Sequence, residues 1–260
     1  MALDDGQGHA VSRRARWLGW AALLAAFLWS AWATEVSLTR VVEGVPFMLD
    51  FVRRMVPPDW SVIGNAVRGA VQTVEIALVG TAVAAVVALP MGFATARNAA
   101  PPWLFHGARV VLNALRAIDT LVYALFFVAA VGLGPFPGVL AVIAYTATVL
   151  AKLYSEAIEA IDPGPVEAVR ATGARPLQVL RWGVAPQLLP QFLSFTLYRW
   201  DINVRMSTII GFVGGGGIGF ILTQYINLLQ WNAAGTAIWL IAIVVMAMDY
   251  ASAVIRERIV

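Results

Sequence analysis

The sequence predicts an all-α membrane protein with about six transmembrane helices, and three observations predict it. Of 260 residues, 60% are hydrophobic and only 13% are charged; soluble domains run nearer half apolar and a quarter charged. Mean hydropathy is +0.77. The charges gather at the edges of apolar runs, each close to the roughly 20 residues that a helix needs to cross a bilayer. This composition excludes an ordinary soluble enzyme and a disordered chain. Cysteine is absent, which excludes a disulfide framework, a thiol nucleophile and a Cys-based metal site. His9 and His106 each stand alone in sequence and read as surface side chains. The pI near 9.6 does not imply nucleic acid, because the basic residues sit at span edges. Membrane lipid is the expected partner of the apolar surface.

Taken in order, residues 1–16 read as a cytoplasmic N-terminus carrying Arg13, Arg14 and Arg16. The first span is 17–33, uncharged, with Trp17, Trp20, Trp29 and Trp32 near its two ends. Ala31-Trp32-Ala33 also fits a signal-peptide cleavage pattern, and Ser12-Arg13-Arg14 a twin-arginine one. Tryptophan favours both membrane interfaces, which suits a retained helix. Residues 34–63 form an extracytoplasmic connection. Pro46, Pro57 and Pro58 are expected to break any long helix there, with Phe51, Arg53 and Arg54 on a short surface helix.

The membrane core runs over 64–256. Its first span extends from about Arg68 to Ala96 and contains Glu75, expected to be buried. Arg97 ends it, and Pro101-Pro102 marks a loop. From Thr120 to Ala151 there is no charge at all, a run too long for one span. Gly132-Leu133-Gly134-Pro135-Phe136-Pro137-Gly138 divides it into two helices, because its prolines and glycines demand a turn. A loop over 155–185 follows. The next span begins near Pro186 and continues through Arg205. Residues 206–248 are uncharged and are broken at Gly214-Gly215-Gly216-Gly217 and by Asn227, Gln230 and Asn232. The last span is about Ala233 to Ala253, followed by a short C-terminus over 257–260.

Basic residues set the orientation, since cytoplasmic loops are enriched in them. With the N-terminus inside, the inner segments hold Arg13, Arg14, Arg16, Arg97, Arg109, Lys152, Arg170, Arg175, Arg181, Arg256 and Arg258, eleven in all. The outer segments hold three: Arg40, Arg53 and Arg54. Both termini are therefore expected in the cytoplasm.

The inner loop carries strong punctuation. Within Ile161-Asp162-Pro163-Gly164-Pro165-Val166-Glu167-Ala168-Val169-Arg170-Ala171-Thr172-Gly173, Asp162 can cap a short helix and Pro163 suits its first turn. Gly173 suits the left-handed residue after its end. This helix is too polar to span and too short to be stable alone, so either the rest of the chain or a partner must hold it.

Glu167-Ala168-Val169, Gly173 and Pro186 resemble the EAA loop of ABC importer permeases. Val169 stands where that motif has its second alanine, and Gly183 and Ala185 where the family often has Ile and Leu. Residues 155–164, 198–205 and 211–219 extend the likeness to the permease subunit of phosphonate-type ABC importers, which also handle phosphite and hypophosphite. The resemblance implies a type I importer fold in a bacterial cytoplasmic membrane. It implies a coupling helix at which Glu167, Ala168, Arg170, Gly173 and Pro186 meet a cytoplasmic ATPase. It further implies a second permease subunit (a second copy of this chain), two ABC ATPase subunits and an extracytoplasmic substrate-binding protein. The chain itself is expected to hold no cofactor, metal or catalytic residue, with ATP and Mg bound by the partner ATPase.

Ionisable residues within a span are costly and mark functional candidates. Asp201 and Arg205 are four apart and can pair along one helix face, either holding helix packing or lining a path. Arg199 points away from Asp201, and Asn203 shares the Arg199 face. Arg199, Asp201, Asn203 and Arg205 are the candidate path residues. Arg199 and Asn203 lead, because a guanidinium suits a tetrahedral oxyanion; snorkelling to an interface is the other reading of Arg199. Gly214, Gly215, Gly216 and Gly217 cannot be a phosphate loop, since no Gly-Lys-Ser/Thr follows and no strand precedes. They form a break between segments or a gate where backbones approach closely. A membrane enzyme would need clustered groups, whereas Glu75, Asp119, Asp201 and Asp249 lie on separate spans. A structural scaffold is the third class considered.

Overall fold

A computed structural model describes residues 13–35 and 37–259, and every regular element among them is helical. His9, most of the expected N-terminal segment and Val260 lie outside the described residues. The chain divides into two units, 1–53 and 54–260.

The first unit holds α1 (Arg13–Ala33) and nearly all of α2 (Leu38–Arg54). Trp17, Leu24, Phe27 and Trp32 of α1 are all exposed, as a lipid-facing helix requires. Pro46 was expected to break the connection, yet it lies inside α2. Val41, Val42, Val45, Met48, Leu49 and Val52 keep a helical apolar spacing on both sides of it. The carbonyl that the proline leaves without a donor belongs to Val42, an exposed residue, where other partners can satisfy it.

The second unit begins with a 3-10 turn (Trp60–Val62) capped by Asp59, whose carboxylate accepts from the Ser61 backbone N–H at 2.9 Å. The Ser61 hydroxyl also donates to that carboxylate at 2.6 Å, and these two bonds hold Asp59 below the usual carboxylate range. Helix α3 (Ile63–Thr95) follows, starting earlier than the expected Arg68. Its buried stripe is made of small residues, among them Ala66, Gly69, Thr73, Ala77, Gly80, Thr81, Ala84, Ala88 and Gly92. Small residues let membrane helices approach closely, because van der Waals packing rather than water exclusion joins them there. Helix α6 (Pro135–Glu159) uses that stripe: Val142 fills the space over Gly80 and Tyr154 the space over Gly92. Tyr154 also stacks on Phe192 at 4.0 Å between ring centroids, and its hydroxyl meets Thr196 Oγ1 at 2.7 Å.

Helices α4 (Pro102–Arg116) and α5 (Thr120–Val131) come between α3 and α6 and meet at an 81° bend. The turn expected over Gly132 to Gly138 is present but shorter: it occupies 132–134, and Pro135, Pro137 and Gly138 belong to α6, where a proline suits the first turn. Helix α5 has only 12 residues, about 18 Å by helix rise, and is too short to cross a bilayer by itself. The span expected from Thr120 onward is therefore made by α5 only together with α4. Four helical stretches are long and apolar enough to cross: Trp60–Thr95, Pro135–Glu159, Pro176–Asn227 and Trp231–Ile255. The bent pair α4–α5 makes a fifth if it counts as one span, and α1 carries a shorter apolar stretch, Trp17–Ala33.

After α6 come α7 (Pro163–Ala171), α8 (Pro176–Val179), a π turn (Leu180–Val184), α9 (Ala185–Phe212), α10 (Gly217–Asn227) and α11 (Trp231–Ile259). The first residues of the expected 155–185 loop therefore belong to α6. Asp59 and α11 close the start of the unit: the Thr236 hydroxyl donates to the Asp59 carbonyl at 3.0 Å.

Candidate functional site

Three groups of expected site residues occupy different places. The first is the interior of the bundle at α9. Arg199 is 7% exposed and Asn203 2%, both on one face by their i,i+4 spacing. The Asn203 amide donates to Thr81 Oγ1 of α3 at 2.8 Å and to Thr146 Oγ1 of α6 at 3.0 Å. Thr81 in turn donates to the Ala77 carbonyl at 2.6 Å. The Thr146 hydroxyl lies 3.2 Å from Asn203 Oδ1, so Asn203 joins three helices through both ends of its amide. Asn203→Leu is expected to lower the melting temperature of the detergent-solubilised protein, because it strands the buried Thr146 hydroxyl, at about 1–3 kcal/mol, and removes the amide donor from Thr81. An unchanged melting curve would contradict that.

Arg199 is placed by this network but not neutralised by it. Its Nη2 reaches Asn203 Oδ1 only at 3.5 Å, and its Nε is buried without a hydrogen-bond partner. Its guanidinium lies 5.5 Å from the Tyr145 ring centroid, a contact worth about 2 kcal/mol or more when desolvated. The ion pairs among the described residues leave Arg199 out. A buried positive charge without a counter-ion costs several kcal/mol, so the Arg199 guanidinium is electrostatically suited to an anion.

The second group lies on another face of α9. Arg205 Nη2 is 3.6 Å from Asp201 Oδ2, the expected pair, and 2.5 Å from Asp249 Oδ1 of α11. Sequence reading had left Asp249 among scattered acids; 44 residues separate it from Arg205, and no local spacing signals the contact. Arg205 and Asp249 are about half-exposed and Asp201 mostly covered. Arg199 and Asn203 therefore face α3 and α6, while Asp201 and Arg205 face α11. The four expected path residues do not line one surface within a single chain.

The third group is the glycine run, where α9 ends and α10 begins. Gly214, Gly216 and Gly217 have φ of +96°, +78° and +74°, in the left-handed region that side chains disfavour. The Gly214 carbonyl accepts from Gly134 N–H at 2.9 Å in the α5–α6 turn. Gly217 N–H donates to Gln72 Oε1 and Ile218 N–H to Thr73 Oγ1, both at 2.8 Å. Two of the first N–H groups of α10, which would otherwise attract an anion, are thereby occupied by α3. The run is a junction of α3, α6, α9 and α10.

The loop motif lies apart from all three. Asp162 caps α7 by accepting from Gly164 N–H at 2.9 Å, Pro163 opens it, and Gly173 follows its end at φ +76°. Gln187 of α9 secures the cap, its Oε1 accepting from Asp162 N–H at 3.1 Å. Glu167, Ala168 and Arg170 are exposed, and α7 has no buried residue. Gly183 lets the π turn touch the Val166 backbone, where a Cβ would stand 3.1 Å away. Pro186 lies in the first turn of α9.

Glu75 was expected to be buried and is exposed on α3. His106 is exposed, with its ring edge-on to Phe105. No group of three or more His, Cys, Asp or Glu residues is placed to hold a metal among the described residues.

The protein-family model described as "Binding-protein-dependent transport system inner membrane component" matches residues 88–259. The phosphite transport system permease protein PtxC of Stutzerimonas stutzeri is 41% identical over 221 residues, covering 85% of this chain and 80% of that protein. The phosphate-import permease protein PhnE of Mycolicibacterium smegmatis is 42% identical over 80% of this chain and 39% of its own length. A chain from the inward-facing MetNI methionine ABC transporter superposes with a TM-score of 0.66 at 23% identity, covering 78% of this chain and 99% of that one.

Proposed function

This chain belongs to the family of binding-protein-dependent transport system inner membrane components, and from that premise we propose that it carries phosphonate or a related phosphorus oxyanion, phosphite or hypophosphite, across a bacterial cytoplasmic membrane. The chain is the multi-pass permease subunit of an ABC importer, not an enzyme. The observation that carries the substrate reading is Arg199, buried in the bundle without a carboxylate counter-ion. Relatives named for phosphite and phosphate import support the same choice. The oxyanion supplies the missing negative charge as it passes, with Asn203 beside the guanidinium. Asp201 and Arg205 contribute from the α11 side, where their charges cancel in part against Asp249.

The substrate comes from an extracytoplasmic binding protein. Two ATPase subunits, binding ATP and Mg, drive the exchange between outward and inward states. They press on α7, where exposed Glu167, Ala168 and Arg170 form the docking surface, with Gly173 and Pro186 fixing the loop around it. The transporter contains two copies of this chain surrounded by lipid, with both termini in the cytoplasm. The Gly214–Gly217 junction acts as the gate.

The docking assignment has a clean test. A Cβ on Gly173 would meet nothing within 4 Å, so Gly173→Val strains only the backbone turn, by about 1–2 kcal/mol. Co-purified ATPase subunit is expected to fall several-fold, with the permease still extracted from membranes in normal amount. Full retention of the ATPase would overturn this role for the loop. For the substrate, binding protein loaded with phosphite or methylphosphonate should stimulate ATP hydrolysis by the complex; stimulation only by another solute would overturn the proposal.

A further inference from the structure

Helix α2 carries an apolar face left uncovered among the described residues. Val41, Val42, Val45, Met48, Leu49 and Val52 are all exposed, and they fall within about 120° of its circumference at 3.6 residues per turn. Arg40, Glu43, Asp50 and Arg54 occupy the opposite side. Phe47 and Phe51 lie outside the apolar arc. Five of its 17 residues are charged, too many for a helix that crosses hydrocarbon.

The start of α2 is tied closely to the end of α1. The Thr34 N–H donates to the Ser30 carbonyl at 2.9 Å, Glu35 turns the chain at φ +52°, and Arg40 pairs with Glu35 at 2.9 Å. Exposed Trp29 and Trp32 near the end of α1 are of the type that marks a membrane interface. The chain from Ala33 to Leu38 reaches at most about 18 Å. Beyond α2, residues 55–59 lead to the turn that opens α3. A chain that crosses with α1 and returns with α3 keeps 34–59 on one side of the bilayer. Helix α2, about 25 Å long, must then begin close to that surface, with an apolar side that water alone would leave bare.

We infer that α2 lies along the extracytoplasmic surface of the membrane, with the Val41, Val45, Met48 and Val52 side among the lipid acyl chains and the charged side among headgroups and water. The inference rests on α1 being a retained crossing helix, as in the reading above, and adds a lipid-binding surface to it. The depth also suits Pro46. The Val42 carbonyl that it leaves without a helix donor can be reached by interfacial water, which the hydrocarbon centre does not supply. Helices of this kind bind through buried apolar area and through attraction to anionic lipid. With three basic residues against two acidic ones, α2 has little net charge to contribute. Apolar area therefore drives the contact, and phosphatidylcholine suffices as the lipid.

The test uses the assembled importer in phosphatidylcholine nanodiscs, where both faces are open to reagents. The chain has no cysteine, so Thr39→Cys, Glu43→Cys, Val45→Cys and Met48→Cys each give the permease a single thiol. A water-soluble maleimide should label the first two at least about tenfold faster than the last two. A polarity-sensitive dye, attached in detergent at Val45→Cys or Met48→Cys before reconstitution, should be quenched several-fold more by nitroxide-labelled acyl chains than the same dye at Glu43→Cys. Equally fast labelling at all four positions would place α2 in water. Slow labelling at 45 and 48 without quenching by lipid would place protein over the face. Either result would overturn the inference, as would quenching that appears only when phosphatidylglycerol is added. An N-terminal tag separates the failures. Its loss from the mature chain would remove α1 and the tether with it, whereas a retained tag with fast labelling would refute the placement of α2 alone.

Discussion

Arg199→Ala is expected to reduce uptake of phosphite or phosphonate into proteoliposomes by about a hundredfold while leaving the complex assembled. The expectation follows from what surrounds the side chain. Its position is set by Asn203 and the Tyr145 ring, and no carboxylate neutralises it. A charge-assisted hydrogen bond contributes about 1.5–3 kcal/mol, and 1.4 kcal/mol corresponds to about a factor of ten. Two such bonds to a passing oxyanion therefore account for the expected loss. Arg199→Lys keeps the charge but not the planar fork, and is expected to retain part of the uptake. Stability separates this role from a structural one. Removing an uncompensated buried charge should leave the melting temperature unchanged or raise it. If Arg199 only held the helices together, the alanine variant would melt earlier; if it served no transport role, uptake would be untouched.

Gly216→Val is expected to abolish transport. At φ +78° a β-branched residue is strained, and its Cβ would stand 2.8 Å from the Pro135 backbone, which cannot yield as a side-chain tip can. Backbone strain contributes about 1–2 kcal/mol, and overpacking typically another 1–3. The control is Gly132→Ala. Gly132 has φ +90° but open space around it, so it isolates the strain of one backbone conformation from close packing. Uptake should survive Gly132→Ala and fail with Gly216→Val. Equal loss in the two would place the effect in the α5–α6 turn generally. Normal transport by Gly216→Val would remove the gate assignment.

Much of this was legible because some residues act locally. Asp162, Pro163 and Gly173 specify a short capped helix through their own backbone chemistry, and α7 has those bounds. The break after Gly132 and the Gly214–Gly217 break were readable for the same reason, although α6 already begins at Pro135. The Asp201–Arg205 pair followed from helix spacing. Long-range relations were not readable. In a membrane helix both the packed and the lipid-facing sides are apolar, so periodicity does not tell them apart; Glu75 was expected inside and lies outside. Asp249 approaches Arg205 from another helix, and the Asn203 contacts to Thr81 and Thr146 bring residues from three helices together. The 81° bend between α4 and α5 escaped because Ala117 to Asp119 contain neither proline nor glycine. Pro46 misled in the other direction, since an exposed amphipathic helix accommodates it.

The most direct measurement is uptake by proteoliposomes that contain the purified permease with its ATPase subunits, an interior supply of Mg-ATP and the binding protein outside. Accumulation of labelled phosphite or methylphosphonate against its gradient is expected, abolished without ATP and diminished about a hundredfold by Arg199→Ala. An ATP-coupled complex that accumulates another solute and leaves every phosphorus oxyanion outside would contradict the account.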